Sequence, residues 1–240
     1  MFQRNRSGVA VEGFRPRHVE SQKMALFMSK VYNWMLSGLA VTGIVSYAIL
    51  IDESLLRIVS NPVVLIGAVI AELGLVAYIS FRLPKMSVMS AMVAFMSFAA
   101  INGITISLIL YAYTSTSVAY AFLITATAFG ALSFFGYTTK KDLSALGTFL
   151  FIGLIGLIIA SVVNMFLANS VMQLMISYIG VLIFAGLTAY DTQMIKNMAV
   201  DVKVEPALAT KMALFGALKL YLDFINMFIF ILQIIGTRRS

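Results

Sequence analysis

Residues 143–167 read LSALGTFLFIGLIGLIIASVVNMFL and contain no charged side chain. A bilayer core of about 30 Å is crossed by roughly 20 helical residues, so this segment is long enough to span a membrane. Comparable apolar runs occupy residues 31–51, 63–81, 88–111, 118–137, 171–194 and part of 207–235. We therefore predict an all-α integral membrane protein with seven transmembrane helices.

The composition supports this class and excludes several others. The 240 residues are 61% hydrophobic and only 11% charged, whereas soluble domains have about 25% charged residues. Cysteine is absent, so the chain has no disulfide, thiolate nucleophile or thiolate metal site. Its net charge of +7 is explained by membrane topology, and we expect no nucleic-acid partner.

The basic residues predict the orientation, because cytoplasmic segments carry an excess of Lys and Arg. With seven spans, thirteen of the seventeen basic residues share the side of the N-terminus, and Arg57, Arg238 and Arg239 lie on the other side. Lys219 falls within the last run. We expect a basic cytoplasmic tail at residues 1–30, a membrane domain at 31–236, and an external C-terminal tail at 237–240. If the last run re-entered the membrane instead of crossing it, Arg238 and Arg239 would be cytoplasmic.

Three acids interrupt the apolar runs: Glu72, Asp191 and Asp223. An ionised carboxylate in hydrocarbon costs about 2.5–3.5 kcal/mol on insertion scales, so such a residue needs a partner, water or a proton. Intramembrane acids are therefore candidate functional residues, with a structural ion pair as the competing interpretation.

The acid of the last run shares a helical face with Lys219 and Asn226, because Asp223 is four residues from the first and three from the second. One interpretation is that Lys219 merely neutralises Asp223. If the membrane begins at Lys219, Asp223 lies about 6 Å inside it. Asp191 precedes Lys196 by five residues, about 7–8 Å, which predicts a similar depth. Two neighbouring carboxyls tend to share a proton, and they also offer hard oxygen ligands to Ca²⁺.

Glu72 lies near the middle of the second run, and Asn102 is a possible partner for it from the third. Arg82 ends the second run. It can reach a carboxylate near the cytoplasmic side, although a snorkelling membrane anchor is the simpler interpretation.

Two C-terminal segments carry a family resemblance: GLTAYDTQMIK at residues 186–196 and GALKLYLDFINMF at 216–228. Together they resemble the signature of the Bax inhibitor-1 family. The resemblance implies a non-enzymatic protein with six helices around a central seventh, and a pH-sensitive calcium leak of the bacterial type. It implies that Asp191 and Asp223 share a proton, gate the pathway and transiently bind Ca²⁺, with Arg82 as a possible latch on one of them. It also implies a bacterial inner-membrane location and no resident cofactor.

Other functions remain open at this point. A membrane-embedded regulator of a membrane protease, a channel or a stress response would use the acids structurally. An intramembrane aspartyl protease is disfavoured, because Leu220, Tyr221 and Leu222 replace the glycines that precede the catalytic Asp in that class. A retinal protein with a Schiff base at Lys219 is also disfavoured, since the single tryptophan, Trp34, lies in the first run.

Overall fold

The computed structural model describes residues 17–201 and 206–239, which form eight α-helices. Residues 1–16, 202–205 and Ser240 lie outside this description, and with them most of the predicted N-terminal tail. The helices are α1 (Arg17–Ile51), α2 (Glu53–Val59), α3 (Pro62–Arg82), α4 (Val88–Tyr111), α5 (Ser115–Thr138), α6 (Ser144–Leu167), α7 (Ser170–Asp201) and α8 (Pro206–Ile235). A 3₁₀ turn, Leu83–Lys85, follows α3.

Seven of the described helices are long and apolar enough to cross a membrane, which confirms the predicted number of spans. The predicted ends of the helices agree well with the structure where a capping residue precedes the helix. Asn61 accepts the Val63 N–H ahead of Pro62, as expected for the start of α3. By contrast, α1 begins at Arg17, well before the predicted start at residue 31, and α7 continues past 194 to Asp201. The short helix α2 was not predicted; Asp52 caps its N-terminus.

The last helix forms the core of the bundle. α8 packs against α1, α4, α5 and α7, while α3 packs mainly on α4 and α6 mainly on α7. Much of α8 is buried, including Leu214, Leu218 and Leu232. Because most of its surface faces protein, α8 can hold polar side chains away from lipid.

The basic and C-terminal ends of the bundle lie opposite each other. At the basic end, Lys211 Nζ donates to the carbonyls of Pro84 and Met86 at 3.0 and 3.2 Å. At the other end, the Thr114 N–H donates to the Thr237 carbonyl at 3.0 Å, beside the loop that joins α4 to α5. α8 therefore runs from one end of the bundle to the other, as the seven-span prediction requires.

Glycines bring α7 close to two neighbouring spans. At Gly136 of α5, a Cβ atom would collide with the Ala189 carbonyl, and at Gly147 of α6 it would lie 2.5 Å from the Tyr190 ring. At Gly67 and Gly74 of α3, by contrast, a Cβ would meet nothing within 4 Å, so these glycines do not lie at a close helix contact. Close approach thus occurs beside Asp191 and not beside Glu72.

Candidate functional site

A cavity of about 620 Å³ opens between α3 and α6 and is backed by α4, α7 and α8. Apolar side chains make up most of its wall, among them Phe98, Leu157 and Ile225. The polar side chains that line it include all of those selected from the sequence as the acid pair and its supporting residues, namely Glu72, Asn102, Asp191, Lys219, Asp223 and Asn226, and also Thr105 and Ser161. Four helices thus bring together selected residues that are up to 154 positions apart in the chain.

Asp223 is the most isolated of the acids. Its side chain is buried, with 4% of the residue exposed, and its Oδ2 atom has no hydrogen-bond partner among the described residues. It lies twelve residues beyond Lys211, which is about 18 Å along the helix. The apolar helix already begins at Pro206, and the depth of about 6 Å, which assumed a membrane entry at Lys219, stays a prediction.

Asp191 of α7 is also 4% exposed and forms an ion pair with Lys219 of α8. The ammonium Nζ lies 3.2 Å from Oδ1 and 3.3 Å from Oδ2, so it contacts both oxygens. Lys219 does not pair with Asp223 among the described contacts. Helical side chains lean toward the N-terminus, so a lysine four residues before an acid leans away from it. The sequence interpretation in which Lys219 neutralises Asp223 within one helix is thus not the arrangement seen.

No hydrogen bond joins the Asp191 and Asp223 carboxyls among the described contacts. Both nevertheless line one cavity, and the charges of Asp191 and Lys219 both act on Asp223. Direct proton sharing between these two acids stays a prediction, because it requires oxygen atoms about 2.5–3.0 Å apart.

Glu72 is half-buried on the opposite wall and belongs to a hydrogen-bonded chain across four helices. Its Oε1 accepts from Thr105 Oγ1 at 2.7 Å and more weakly from Asn102 Nδ2 at 3.4 Å. Asn102 in turn accepts from the Tyr221 hydroxyl at 2.8 Å, and that hydroxyl lies 2.6 Å from Thr42 Oγ1. The predicted Glu72–Asn102 contact therefore exists.

The sequence alone did not predict that Thr42, Thr105 and Tyr221 belong to this hydrogen-bonded chain. Threonine and tyrosine are ordinary residues in membrane helices, where a hydroxyl can bond to its own helix, so their presence alone signals nothing. Two weak signals were available: Tyr221 lies two residues before Asp223, and Thr105 lies three residues after Asn102.

Arg82 does not lie at the aspartates. It is exposed in the last turn of α3, and its side chain makes no hydrogen bond or ion pair with any described residue. It is ten residues, about 15 Å along the helix, from Glu72, and six residues, about 9 Å, from Val76, another α3 residue that lines the cavity. The cation found on Asp191 is Lys219. A latch by Arg82 is therefore not formed in this conformation, and one formed in another conformation stays a prediction.

The cavity is not a preformed metal centre. Within residues 17–201 and 206–239, no three Asp, Glu, His or Cys side chains are grouped closely enough to hold a metal ion. Three carboxyls and one ammonium line the cavity from three different helices.

The chain is similar to one protein family and to several bacterial proteins. The family model described as "Inhibitor of apoptosis-promoting Bax1" matches residues 24–240. The inner membrane protein YbhL of Escherichia coli K12 is 43% identical over 215 residues, covering 89% of this chain and 92% of that protein. An uncharacterized protein of Deinococcus radiodurans is 42% identical, with 88% and 90% covered. An uncharacterized membrane protein of Streptococcus pyogenes is 41% identical, with 88% and 92% covered.

Proposed function

Since this chain belongs to the Bax inhibitor-1 family, we propose that it is a pH-sensitive calcium leak pathway whose gate includes Asp191 and Asp223. The observation that carries the proposal is the cavity itself. Three carboxyls from three spans line one space within the bundle, and an oxygen of one of the two buried acids, Asp223, has no described partner. Intramembrane acids that face a cavity are typical of ion and proton pathways.

The charges favour a divalent cation as the permeant species. With all groups ionised, Glu72, Asp191 and Asp223 outnumber Lys219, so the cavity carries an excess of negative charge. Carboxylate and amide oxygens are the ligands that Ca²⁺ prefers, and Asn102 and Asn226 add two amides. In this proposal Ca²⁺ is cargo, the acids break no covalent bond, and no resident cofactor is needed.

In the proposed mechanism, the ion pair between Lys219 and Asp191 corresponds to the closed state of the pathway. The Lys219 ammonium contacts the Asp191 carboxylate and is the one positive charge among the described residues that line the cavity, where it opposes an incoming cation. Protonation of Asp191 removes its attraction for Lys219 and for Ca²⁺ alike. Acidification therefore has two opposed effects: it loosens the α7–α8 contact that closes the pathway, and it weakens the ligands that draw Ca²⁺ in.

The test is a flux measurement with pure protein. The full chain is reconstituted into calcium-free liposomes containing a fluorescent Ca²⁺ indicator, and influx is followed over a pH series. Wild type should leak, and Asp223→Asn should leak less with a flatter pH profile. Asp142→Asn is the matched control, because Asp142 is an exposed acid in the loop between α5 and α6. A tight bilayer with wild-type protein at every pH would contradict the proposal and favour the alternative of a regulator that needs a partner.

A further inference from the structure

A second large cavity is an apolar groove of about 730 Å³ between α1 and α5, floored in part by Phe224 of α8. One face of α1 lines it from residue 25 to 39, and one face of α5 lines it from 122 to 137. At 1.5 Å per residue each face is about 21–22 Å long. Half of a bilayer core is about 15 Å thick, so the groove extends through one leaflet and somewhat beyond.

The walls of the groove suit a hydrocarbon chain. Both helices are among the seven spans, so the groove opens toward lipid. The few polar groups in its floor bond to one another: the Tyr32 hydroxyl bonds to Ser133 Oγ, which lies 3.0 Å from Thr192 Oγ1. Phe129 and Met35 add buried apolar surface. A water-soluble ligand would find little to bond there, whereas each buried CH₂ group contributes about 0.8 kcal/mol.

One end of the groove is positively charged. Lys30 follows the groove residue Ser29, and Lys140 comes three residues after the groove residue Tyr137; both lysines are exposed. Lys196 donates to the Tyr137 carbonyl at 2.7 Å and adds a third positive charge. The acid described at this end is Asp142, which accepts the Ser144 N–H at 2.9 Å.

We propose that this groove binds an anionic phospholipid, with an acyl chain between α1 and α5 and the headgroup at Lys30 and Lys140. Basic pockets between membrane helices recognise such headgroups, each nearby Lys or Arg contributing about 1 kcal/mol. The site is separate from the acid-lined cavity, with which it shares no lining residue.

The acyl-chain site is tested by filling it. Gly130 lines the groove, and a Cβ there would meet nothing within 4 Å, so Gly130→Leu is the substitution chosen to occupy part of the groove. Gly67→Leu is the matched control, since Gly67 of α3 is equally open but lies outside the groove. The full chain is incubated in neutral detergent with phosphatidylglycerol or phosphatidylcholine, and native mass spectrometry measures the lipid retained. Retention of phosphatidylglycerol should fall at least about fivefold in Gly130→Leu. A fall of this size corresponds to the loss of only one or two buried CH₂ contacts between the acyl chain and the groove. The control should match wild type.

The headgroup is tested separately. Wild type should retain phosphatidylglycerol at least about fivefold better than phosphatidylcholine, which corresponds to one lysine contact. Lys30→Gln with Lys140→Gln should abolish this preference, whereas Lys85→Gln, at the same end but outside the groove, should keep it. Three results would overturn the proposal: equal retention of both lipids by wild type, full retention by Gly130→Leu, or a dimer of the chain that Gly130→Leu dissociates. The last would identify a second copy as the occupant.

Discussion

The Lys219 ammonium lies 3.2 Å from Asp191 on the neighbouring helix and leaves Asp223, one turn along its own helix, without that cation. The contact ties α7 to α8 at the acid-lined cavity. It also leaves the two buried aspartates unequal, because Asp191 has a counter-ion and Asp223 has an oxygen with no described partner.

Breaking this pair should destabilise the protein. Removing one partner of a fully buried pair costs about 3–5 kcal/mol, and since the Lys219 side chain is 33% exposed we expect about 1–3 kcal/mol for Lys219→Met. Unfolding in detergent micelles measures the loss. The double variant Lys219→Met with Asp191→Asn should recover part of it, because no charge is then left unpaired. If Lys219→Met and the double variant are both as stable as wild type, the pair contributes nothing to stability.

Asp223→Asn should preserve the fold and change conduction. An amide in place of the carboxylate removes a buried charge, so unfolding should be unchanged or shifted toward greater stability. Ca²⁺ influx should fall about tenfold, the effect of a barrier raised by roughly 1.4 kcal/mol, and its pH dependence should flatten. If Lys219→Met reproduces these flux changes while Asp191→Asn has none, the two-aspartate gate is wrong.

The Arg82→Ala variant tests whether Arg82 takes part in the gate or only anchors α3 in the membrane. Arg82 is exposed and makes no hydrogen bond or ion pair with a described residue, so its removal should change the free energy of unfolding by no more than about 0.5 kcal/mol. If Arg82 latches onto an aspartate in another conformation, Ca²⁺ influx should rise and depend less on pH. The neighbouring Lys85→Ala serves as the control for a general loss of positive charge. Unchanged influx in Arg82→Ala would eliminate the latch.

The close approach of α5 and α7 gives a prediction about packing. Gly136→Ala should destabilise the bundle by about 1–3 kcal/mol, because the added methyl meets backbone atoms of Ala189 that no rotamer change can move. Gly130→Ala, six residues away on the same helix, has open space and should stabilise by up to about 1 kcal/mol through helix propensity. Thermal unfolding of the two variants side by side should shift in opposite directions. Equal shifts would contradict the contact.

Topology is tested with reporters. A fusion after Ser240 should report the external side and one at the N-terminus the cytoplasmic side, because α8 crosses the bundle and basic residues are concentrated at the other end. Two reporters on the same side would contradict the seven crossings. Two reporters with the sides exchanged would contradict the orientation.

The sequence predicted the spans well because a bilayer imposes both a length and an apolar composition on them. It located the helix ends less well where a polar extension continues a helix, as in the first part of α1 and the last part of α7. It identified the acids because their cost in hydrocarbon is high. It could not identify the partner of Lys219, because residues on one helix face and residues across a helix interface look alike in a sequence. For the same reason it could not show that Lys219, and not Arg82, contacts Asp191 in this conformation.

The position of the charged helix in the chain has a consequence for biosynthesis. α8 carries Lys219 and Asp223 and follows in the chain α1, α4, α5 and α7, the four spans against which it packs. Until α8 enters the membrane, Asp191 lacks the counter-ion that it has in the folded bundle, and until α7 is in place, so does Lys219. We therefore expect the two helices to insert as a pair.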